Sequence, residues 1–321
     1  MILEVRHLRV EFPTRRGTLV AVDDVSFAIA PGEVLGVVGE SGAGKSITGL
    51  AVIGLLEPPG RIAAGEVRLE GRRIDRLAPE EMRRLRGRRI GMVFQDPLTS
   101  LNPLYTVGRQ LEETILTHLA GGRDEARRRA LRLLAEVGIP APESRFHHYP
   151  HQFSGGMRQR VVIALALAAE PALVIADEPT TALDVSMQAQ IIALLKRLAA
   201  ERGAAIMLIT HDMGVIAETA QRVAVMYAGR LVEVGPVREV IHSPRHPYTA
   251  GLMGCIPRIL SSGNSKERLA QIDGAMPRLN AIPPGCAFNP RCPRRFDRCG
   301  AERPELMRAG SSDAACWLHA P

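Results

Sequence analysis

The stretch VLGVVGESGAGKSITGLAVIGLL, residues 34–56, joins an apolar run, a glycine-rich loop and a second apolar run without interruption. Its central part, Gly39–Ser46, fits the pattern G-x-x-x-x-G-K-[ST], and the residues at 34–38 predict a buried strand before it. An apolar helix is predicted from about Lys45. Such a loop can turn its backbone N–H groups toward phosphate oxygens, and the helix N-terminus adds its positive end. The sequence therefore predicts a nucleoside triphosphate site, rather than a glycine-rich turn that matches by chance.

Individual residues of this loop have expected roles. Lys45 would reach the β- and γ-phosphates, and the Ser46 hydroxyl would bind Mg²⁺. The residues of this segment that we expect to contact the nucleotide are Gly39, Ser41, Gly42, Gly44, Lys45, Ser46 and Ile47. ATP and Mg²⁺ are thus the expected ligands.

Further apolar segments predict an α/β core around the loop. Residues 172–177 and 205–210 predict buried strands, residues 222–235 predict a hairpin, and residues 186–201 predict a helix. Strands separated by helices favour a mainly parallel sheet, whose ligand site lies at the carboxyl ends of the strands. The candidate residues fall at such ends.

Two adjacent carboxylates end the strand at 172–177. Asp177 is expected to hold Mg²⁺, and Glu178 is expected to orient and deprotonate the attacking water. Without the phosphate loop, a helix cap would be the favoured interpretation of this acidic pair. With the loop present, a catalytic pair is favoured.

A second candidate phosphate cradle is the segment FSGGM, residues 153–157, which precedes a long apolar helix. A serine and two glycines at a helix N-terminus can bind an anion. One lobe cannot easily close two cradles on one nucleotide. We therefore expect Ser154, Gly155 and Gly156 to contact the ATP of a partner chain.

Composition narrows the class of protein. The chain has 321 residues, 46% of them apolar, and 41 basic against 34 acidic side chains. A net charge of +7 could suit phosphates, an anionic membrane surface or nucleic acid. Aromatic residues make up only 4% and do not interleave with the basic runs, so nucleic acid is disfavoured. A charged start and the lack of a long apolar window predict a cytosolic chain.

The pattern also predicts a division into domains. We expect a nucleotide-binding domain over residues 1–240, with an inserted α-helical subdomain at about 96–160. From residue 241 to residue 321, proline, glycine and short irregular pieces dominate. This stretch predicts a small, irregular C-terminal domain that contains cysteines.

Taken in order, these motifs resemble the ATP-binding subunits of ABC transporters, so the implied fold is a P-loop NTPase of the ABC ATPase type. The resemblance identifies Gln95 as the Q-loop residue, Thr181–Asp184 as the D-loop and His211 as the switch histidine. Phe153 stands where the signature usually has leucine.

The resemblance also implies roles for these residues. Gln95 would sense the γ-phosphate and bind Mg²⁺, His211 would clamp the γ-phosphate, and Phe12 would stack on adenine. Asp184 would contact the partner's nucleotide. Two ATPase chains would thus enclose two ATP molecules.

Two stretches resemble the peptide-importer branch: FQDPLTSLNPLYTVG at 94–108 and SPRHPYTAGLM at 243–253. This branch imports dipeptides, oligopeptides, nickel or glutathione. The implied partners are a second ATPase subunit, two membrane permeases and, indirectly, an extracytoplasmic solute-binding protein, with no nucleic acid. The implied location is peripheral, at the cytoplasmic face of the inner membrane. The alternative is a soluble ABC ATPase of DNA repair or translation.

The branch also carries a C-terminal cysteine set, which Cys286, Cys292, Cys299 and Cys316 match. Four thiolates can ligate a [4Fe–4S] cluster or a tetrahedral zinc ion. Structural zinc usually uses closely spaced cysteine pairs, so the wide spacing and the resemblance favour the cluster. Unligated buried cysteines are the remaining alternative.

Overall fold

The computed structural model describes residues 1–180, 183–256 and 271–320. The strands are β1 (Leu3–Thr14), β2 (Gly17–Ile29), β3 (Val34–Val38), β4 (Arg61–Leu69), β5 (Arg72–Arg73), β6 (Ile90–Val93), β7 (Leu173–Asp177), β8 (Ala205–Ile209), β9 (Arg222–Tyr227), β10 (Arg230–Pro236), β11 (Met307–Ala309) and β12 (Ser312–Ala314). The helices are α1 (Lys45–Ile53), α2 (Pro79–Leu85), α3 (Pro97–Ser100), α4 (Val107–His118), α5 (Arg123–Glu136), α6 (Pro142–Arg145), α7 (Gly155–Leu167), α8 (Val185–Arg202), α9 (Met213–Thr219), α10 (Val237–His242), α11 (Pro247–Gly254) and α12 (Asp297–Ala301). Short 3₁₀ turns lie at Pro150–Gln152, Asn289–Arg291 and Trp317–His319.

The described residues form two units, and each unit is assembled from several segments of the chain. The first unit comprises residues 1–4, 28–34, 68–180 and 183–209. The second comprises residues 5–27, 35–67, 210–256 and 271–320. These units do not coincide with the predicted boundaries at residues 96, 160 and 240, which remain predictions. In the described part of the chain, no helix is both long and apolar enough to cross a membrane.

Three parallel strands form the centre of the first unit. β7 lies between β6 and β8, with Leu173 opposite both Ile90 and Ala205. Every residue of β7 and of β8 is buried. A strand that is covered on both faces has a continuous apolar run rather than an alternating pattern. Continuous apolar runs are the feature from which the sequence predicted these two strands. Both predictions are confirmed.

The helices α3 to α7 follow one another between β6 and β7 in the same unit. In α4, Val107, Leu111 and Ile115 are buried at four-residue spacing, which places them on one face of the helix. The Thr106 hydroxyl accepts a hydrogen bond from the Arg109 N–H and caps the start of this helix. The helices predicted after Gln95 are therefore present.

The second unit contains a mixed set of strands in the order β11, β12, β10, β9 and β3. β3 runs parallel to β9, whereas β9 and β10 pair antiparallel as a hairpin. Ala228 and Gly229 form its turn with φ angles of 47° and 79°, and two such positive angles match the twist of a tight hairpin. The hairpin predicted at 222–235 is confirmed.

The C-terminal region is less irregular than the sequence predicted. β12 pairs antiparallel with β10, with Ala314 opposite Glu233, and β11 pairs with β12. Strands of three residues are too short to show an alternating pattern, which is why the sequence did not indicate them. A separate, irregular cysteine-containing domain is therefore not confirmed.

A buried histidine anchors the start of this region. His246 is 1% exposed, and its backbone N–H donates to a Glu233 carboxylate oxygen at 2.9 Å. Its ring Nδ1 accepts a hydrogen bond from the Tyr248 N–H at 3.1 Å. Burial, assisted by the charge of His319, lowers the pKa of His246 to about 3.

We predict that His246 makes the stability of the second unit depend on pH. In the unfolded chain its pKa is about 6.5, so below that pH the unfolded state binds a proton that the folded state excludes until about pH 3. Stability should therefore fall by about 1.4 kcal/mol per pH unit over this window as pH decreases. The free energy of unfolding can be measured at pH 7 and pH 5 by urea unfolding, followed by the fluorescence of Trp317, the only tryptophan.

His246→Asn should be less stable at both pH values and should lose about 2 kcal/mol less than the native chain between them. His242→Asn, at an exposed position, is the control and should keep the native pH dependence. Equal pH dependence in the native and His246→Asn proteins would contradict the assignment.

Candidate nucleotide site

The phosphate loop of the second unit connects β3 to α1. Gly39 has φ 151°, and a Cβ built on it would lie 2.3 Å from the carbonyl oxygen of Met226, so only glycine fits. Gly44, with φ 101°, comes immediately before α1, and a Cβ built on it would lie 2.8 Å from the Ala21 carbonyl oxygen. The strand β9 and the start of β2 therefore fix the shape of the loop.

The lysine of the loop is held by its own backbone. Lys45 is 5% exposed, and its Nζ donates to the carbonyl oxygens of Gly39 at 2.7 Å and Glu40 at 3.0 Å. Ser41 and Gly42 are exposed at the tip, whereas Ser46 and Ile47 are half-buried. An ammonium group curled over a loop with an exposed tip is positioned to meet an anion. This arrangement fits phosphate binding.

The sequence did not indicate the side chains that hold this loop from outside. Tyr248 accepts a hydrogen bond from the Glu40 N–H at 2.8 Å, and Arg291 Nη1 lies 3.1 Å from each Glu40 carboxylate oxygen. Tyr248 lies in the stretch 243–253 that resembles peptide importers. This resemblance is the only feature of the sequence that points to Tyr248. Arg291 is separated from Glu40 by 251 positions and left no local signal.

Two more candidates lie in the second unit. His211 is exposed and stands just before Asp212, which caps α9 by accepting from the Gly214 and Val215 N–H groups. Phe12 is half-buried, and a Cβ on Gly60 would lie 2.5 Å from its ring. One edge of this ring is therefore occupied by the chain itself. The adenine-stacking role of Phe12 remains a prediction.

The first unit holds the candidate catalytic carboxylates. Asp177 is 7% exposed at the end of β7. Glu178 follows with φ 46°, and its N–H donates to the Ile209 carbonyl oxygen at 2.9 Å. A left-handed backbone is unfavourable for glutamate, and strain of this kind concentrates at functional sites.

The structure brings Gln95 and Glu178 together. Gln95 Nε2 donates to Glu178 Oε2 at 3.1 Å, which leaves the Gln95 Oε1 oxygen as an acceptor. Hydroxyl, carboxylate and amide oxygens are the ligands that Mg²⁺ prefers, so Ser46, Asp177 and Gln95 have the right chemistry for it.

The signature segment is well formed in the first unit. Ser154 caps α7, with its hydroxyl accepting from the Met157 N–H at 3.4 Å. Ser154 and Gly155 are exposed, whereas Gly156 is buried and a Cβ there would lie 2.6 Å from the Met187 sulfur. Phe153 is 4% exposed, so the apolar exchange at this position is accommodated in the core.

The predicted D-loop is only partly described. Thr181 and Ala182 lie outside the described residues. Asp184 is exposed and caps α8 by accepting from the Met187 N–H at 2.8 Å. Its neighbour Val185 is 84% exposed.

Four cysteine side chains line one small cavity in the second unit. Its volume is about 10 Å³, enough for roughly one water molecule, and its lining includes Cys286, Cys292, Cys299 and Cys316. Burial raises the pKa of Cys286 to about 11 and also raises the pKa values of Cys292 and Cys316. In the ranges 1–180, 183–256 and 271–320, no three or more His, Cys, Asp or Glu side chains are arranged to hold a metal ion. The predicted iron–sulfur or zinc site is therefore not supported, although the thiols converge.

Comparison with family models matches two parts of the chain. Residues 22–181 match the model described as ABC transporter. Residues 232–299 match the model described as oligopeptide/dipeptide transporter, C-terminal region. The second match includes Tyr248 and three of the four clustered cysteines.

Similar proteins agree with these matches. The chain is 48% identical to the dipeptide transport ATP-binding protein DppD of Escherichia coli, covering 98% of this chain and 96% of that protein. It is 48% identical to DppD of Bacillus subtilis, covering 99% of this chain and 94% of that protein. The dimeric structure of the bacterial ABC transporter cassette MJ0796 superposes with a TM-score of 0.66 at 32% identity, over 74% of this chain and 99% of that one.

The post-hydrolysis dimer of the same cassette, bound to ADP and phosphate, superposes with a TM-score of 0.66 at 30% identity, again over 74% of this chain and 99% of that one. The P-loop, the adjacent carboxylates Asp177 and Glu178 and the capped signature helix thus occur in a chain that matches ATP-binding proteins over nearly its whole length. The chain belongs to the ABC transporter family, in the branch of peptide-importer ATP-binding subunits, and is an ATPase.

Proposed function

We propose that this chain supplies the energy for import of dipeptides or oligopeptides through an ABC transporter. The observation that carries the proposal is 48% identity to dipeptide transport ATP-binding proteins over nearly the full length of both chains. The match to the transporter C-terminal region supports the same branch. Nickel and glutathione remain related solutes of this branch, because specificity lies mainly in the permeases and the solute-binding protein.

Exposed apolar side chains after β6 support a contact with a permease. Phe94 is 40% exposed, Leu98 61% and Leu104 78%, all within the stretch that resembles peptide importers. Asp96 caps the short helix α3 by accepting from the Leu98 N–H at 2.8 Å, so this surface has a defined shape. Three exposed apolar side chains within one short segment fit a protein interface. We infer that this segment receives the coupling helix of a permease.

The proposed ATP site assigns binding and catalysis to different side chains. The backbone of Gly39–Ser46, with Lys45, would bind the phosphates, and Phe12 would stack on adenine. Ser46, Asp177 and Gln95 would hold Mg²⁺, which supplies charge neutralisation of the phosphates. His211 would contact the γ-phosphate as hydrogen-bond donor.

Glu178 is the proposed general base. Its strained backbone and its hydrogen bond from Gln95 fix the carboxylate at the end of β7. From there it would orient water for in-line attack and accept its proton. Most of the rate would come from positioning and charge stabilisation rather than from covalent chemistry.

The second half of each site would come from another ATPase chain. Ser154 and Gly155 are exposed at the N-terminus of α7, where backbone N–H groups can bind phosphate. Asp184 and the exposed Val185 lie at the start of α8 and would contact the partner. The partner would be a homologous subunit or a second copy, and two ATP molecules would lie between the chains.

The other partners and the location follow from the proposal that the chain is part of an importer. The complex would contain two permeases and act with an extracytoplasmic solute-binding protein, and this chain would be peripheral at the cytoplasmic face of the inner membrane. The alternative, a soluble ABC ATPase of DNA repair or translation, is disfavoured because the similar proteins described above are transport subunits.

For the C-terminal region we propose that the four clustered cysteines bind a metal group, with a [4Fe–4S] cluster favoured over zinc. Four thiols lining one cavity supply enough ligands for either, and a bound cation would favour their thiolate forms. Because the cavity has a volume of only about 10 Å³, the loops would have to move apart to admit a cluster.

Replacing the proposed base should separate binding from hydrolysis. Glu178→Gln keeps the shape of the side chain but cannot accept a proton, so kcat should fall by about 10² to 10⁴ while ATP remains bound. Steady-state phosphate release and binding of a fluorescent ATP analogue measure the two effects. Glu143→Gln, at an exposed position on α6, is the control and should retain native turnover. Native turnover by Glu178→Gln would contradict the assignment of the base.

Charging the proposed permease contact should uncouple transport from nucleotide binding. In proteoliposomes that contain the complete transporter and its solute-binding protein, Leu104→Asp should reduce ATP-driven dialanine uptake by about tenfold or more, because a charge would be buried at the interface. Binding of the ATP analogue to the isolated chain should not change. Ile282→Asp, at a position 38% exposed in the second unit, is the control.

Uptake of nickel or glutathione but of no peptide by the native transporter would contradict the proposed solute. Unchanged dialanine uptake by Leu104→Asp would contradict the proposed contact with the permease.

Metal analysis tests the cysteine proposal directly. Chain purified without oxygen should contain iron and acid-labile sulfide in equal amounts and absorb near 400 nm, and Cys292→Ser should lose this signal. Cys255→Ser is the matched control, because Cys255 does not line the cavity of the other four. Zinc without sulfide would favour the alternative ligand, and absence of both would overturn the proposal.

A further inference from the structure

Glu40, the second residue of the phosphate loop, is held by two residues from the C-terminal region. Its backbone N–H donates to the Tyr248 hydroxyl at 2.8 Å. Its carboxylate oxygens both lie 3.1 Å from Arg291 Nη1. The phosphate loop is thus fixed at its backbone by a neutral partner and at its side chain by a cation.

The cation itself is rigidly placed. The Arg291 side chain is 7% exposed, and its Nε and Nη2 donate to the carbonyl oxygens of Asp273 at 2.8 Å and Ile272 at 3.3 Å. Its Nη1 also donates to the Tyr227 hydroxyl at 3.3 Å. The guanidinium carbon lies 5.8 Å from the ring centres of Tyr227 and Phe288. A guanidinium with this many partners cannot follow Glu40 if the loop moves.

The charge of Glu40 matters because of where it lies. The loop that contains it is the proposed binding place of a polyanion, and its carboxylate is 29% exposed. An uncompensated negative charge there would repel the phosphates of a nucleotide. Arg291 neutralises this charge and also prevents the side chain from folding over the loop.

Arg291 also belongs to residues 286–299, which contain Cys286, Cys292 and Cys299 and are called the cysteine loop below. It ends the 3₁₀ turn Asn289–Arg291, which lies between Cys286 and Cys292. The Asn289 N–H donates to the Cys286 carbonyl oxygen at 2.9 Å, and the Cys292 N–H donates to the Asn289 carbonyl oxygen at 3.3 Å. The conformation of this loop therefore determines where the guanidinium lies.

We propose that Arg291 is a positioning residue of the nucleotide site, which makes nucleotide affinity depend on the fold of the cysteine loop through the Arg291–Glu40 pair. The proposal rests on the proposed function only in taking Gly39–Ser46 as the nucleotide site. It does not depend on whether the cysteines bind a metal. Disorder of the cysteine loop moves Arg291 away from Glu40 and thereby weakens nucleotide binding. Nucleotide affinity therefore reports whether this loop is folded.

Removing the charge of Arg291 alone, and then together with that of Glu40, tests whether this ion pair sets the nucleotide affinity. With mant-ATP and Mg²⁺ as the probe, Arg291→Ala should raise Kd by about tenfold at low salt and by less at high salt, because a freed carboxylate repels phosphate. In the ATPase assay of the assembled transporter, KM should rise while kcat is kept. Adding Glu40→Gln to Arg291→Ala should restore Kd to within about twofold of Glu40→Gln alone.

Arg295→Ala is the matched control. It removes the same charge from an exposed position of the same loop and should leave Kd at the native value. Arg291→Lys should restore part of the affinity, because it keeps the charge but not the bonds to Ile272 and Asp273. If Glu40→Gln fails to restore binding to Arg291→Ala, a general loss of structure explains the effect and the proposal is overturned.

A second pair of variants tests the coupling to the cysteine loop. Asn289→Ala removes the side-chain hydrogen bonds to the Pro284 and Cys286 carbonyl oxygens, and it should raise the mant-ATP Kd in the chain with Glu40 but not in the Glu40→Gln protein. An equal rise in both would overturn the coupling, as would no rise in either. If the native chain fails to bind mant-ATP at all, the proposed nucleotide site fails. If the native chain binds mant-ATP and Arg291→Ala does not change the Kd, the proposed role of Arg291 is wrong but the proposed nucleotide site stands.

Discussion

The close approach of Gly39 to the carbonyl oxygen of Met226 sets the shape of the phosphate loop, and the rest of the second unit is arranged around it. A side chain at residue 39 would lie 2.3 Å from that oxygen, so the loop can rest directly on β9 only with glycine at this position. β9 pairs in parallel with β3 on one side and antiparallel with β10 on the other. The loop is consequently held by the centre of a sheet and not by its own few residues, which is what a preorganised anion site requires.

The same strand explains how distant parts of the chain reach the loop. β10 follows β9 through a two-residue turn and carries Glu233, whose buried carboxylate accepts the N–H groups of Arg245 and His246. This places Tyr248 against the loop, where it supports the Glu40 backbone. The C-terminal region is therefore part of the support of the nucleotide site rather than an appendage to it.

The sequence predicted the elements that have a local signal. The glycine loop, the apolar runs of β7 and β8 and the turn at Ala228-Gly229 depend on spacing within a few residues, and the structure contains all of them. Sequence analysis missed the features that depend on contacts between residues far apart in the chain. The ion pair between Glu40 and Arg291 spans 251 positions, and β12 is three residues long, so neither produces a periodic pattern. The metal site at the four cysteines was predicted from spacing and resemblance, but spacing does not fix side-chain geometry.

The pairing of β12 with β10 has a consequence for the integrity of the chain in the cell. Without residues 307–314, the backbone N–H and C=O groups of β10 around Glu233 and Val234 would lose their strand partner and form an open sheet edge. Such an edge is a template for another polypeptide. A chain shortened by proteolysis or by a premature stop codon would therefore tend to aggregate, and the two short strands near the C-terminus protect against this.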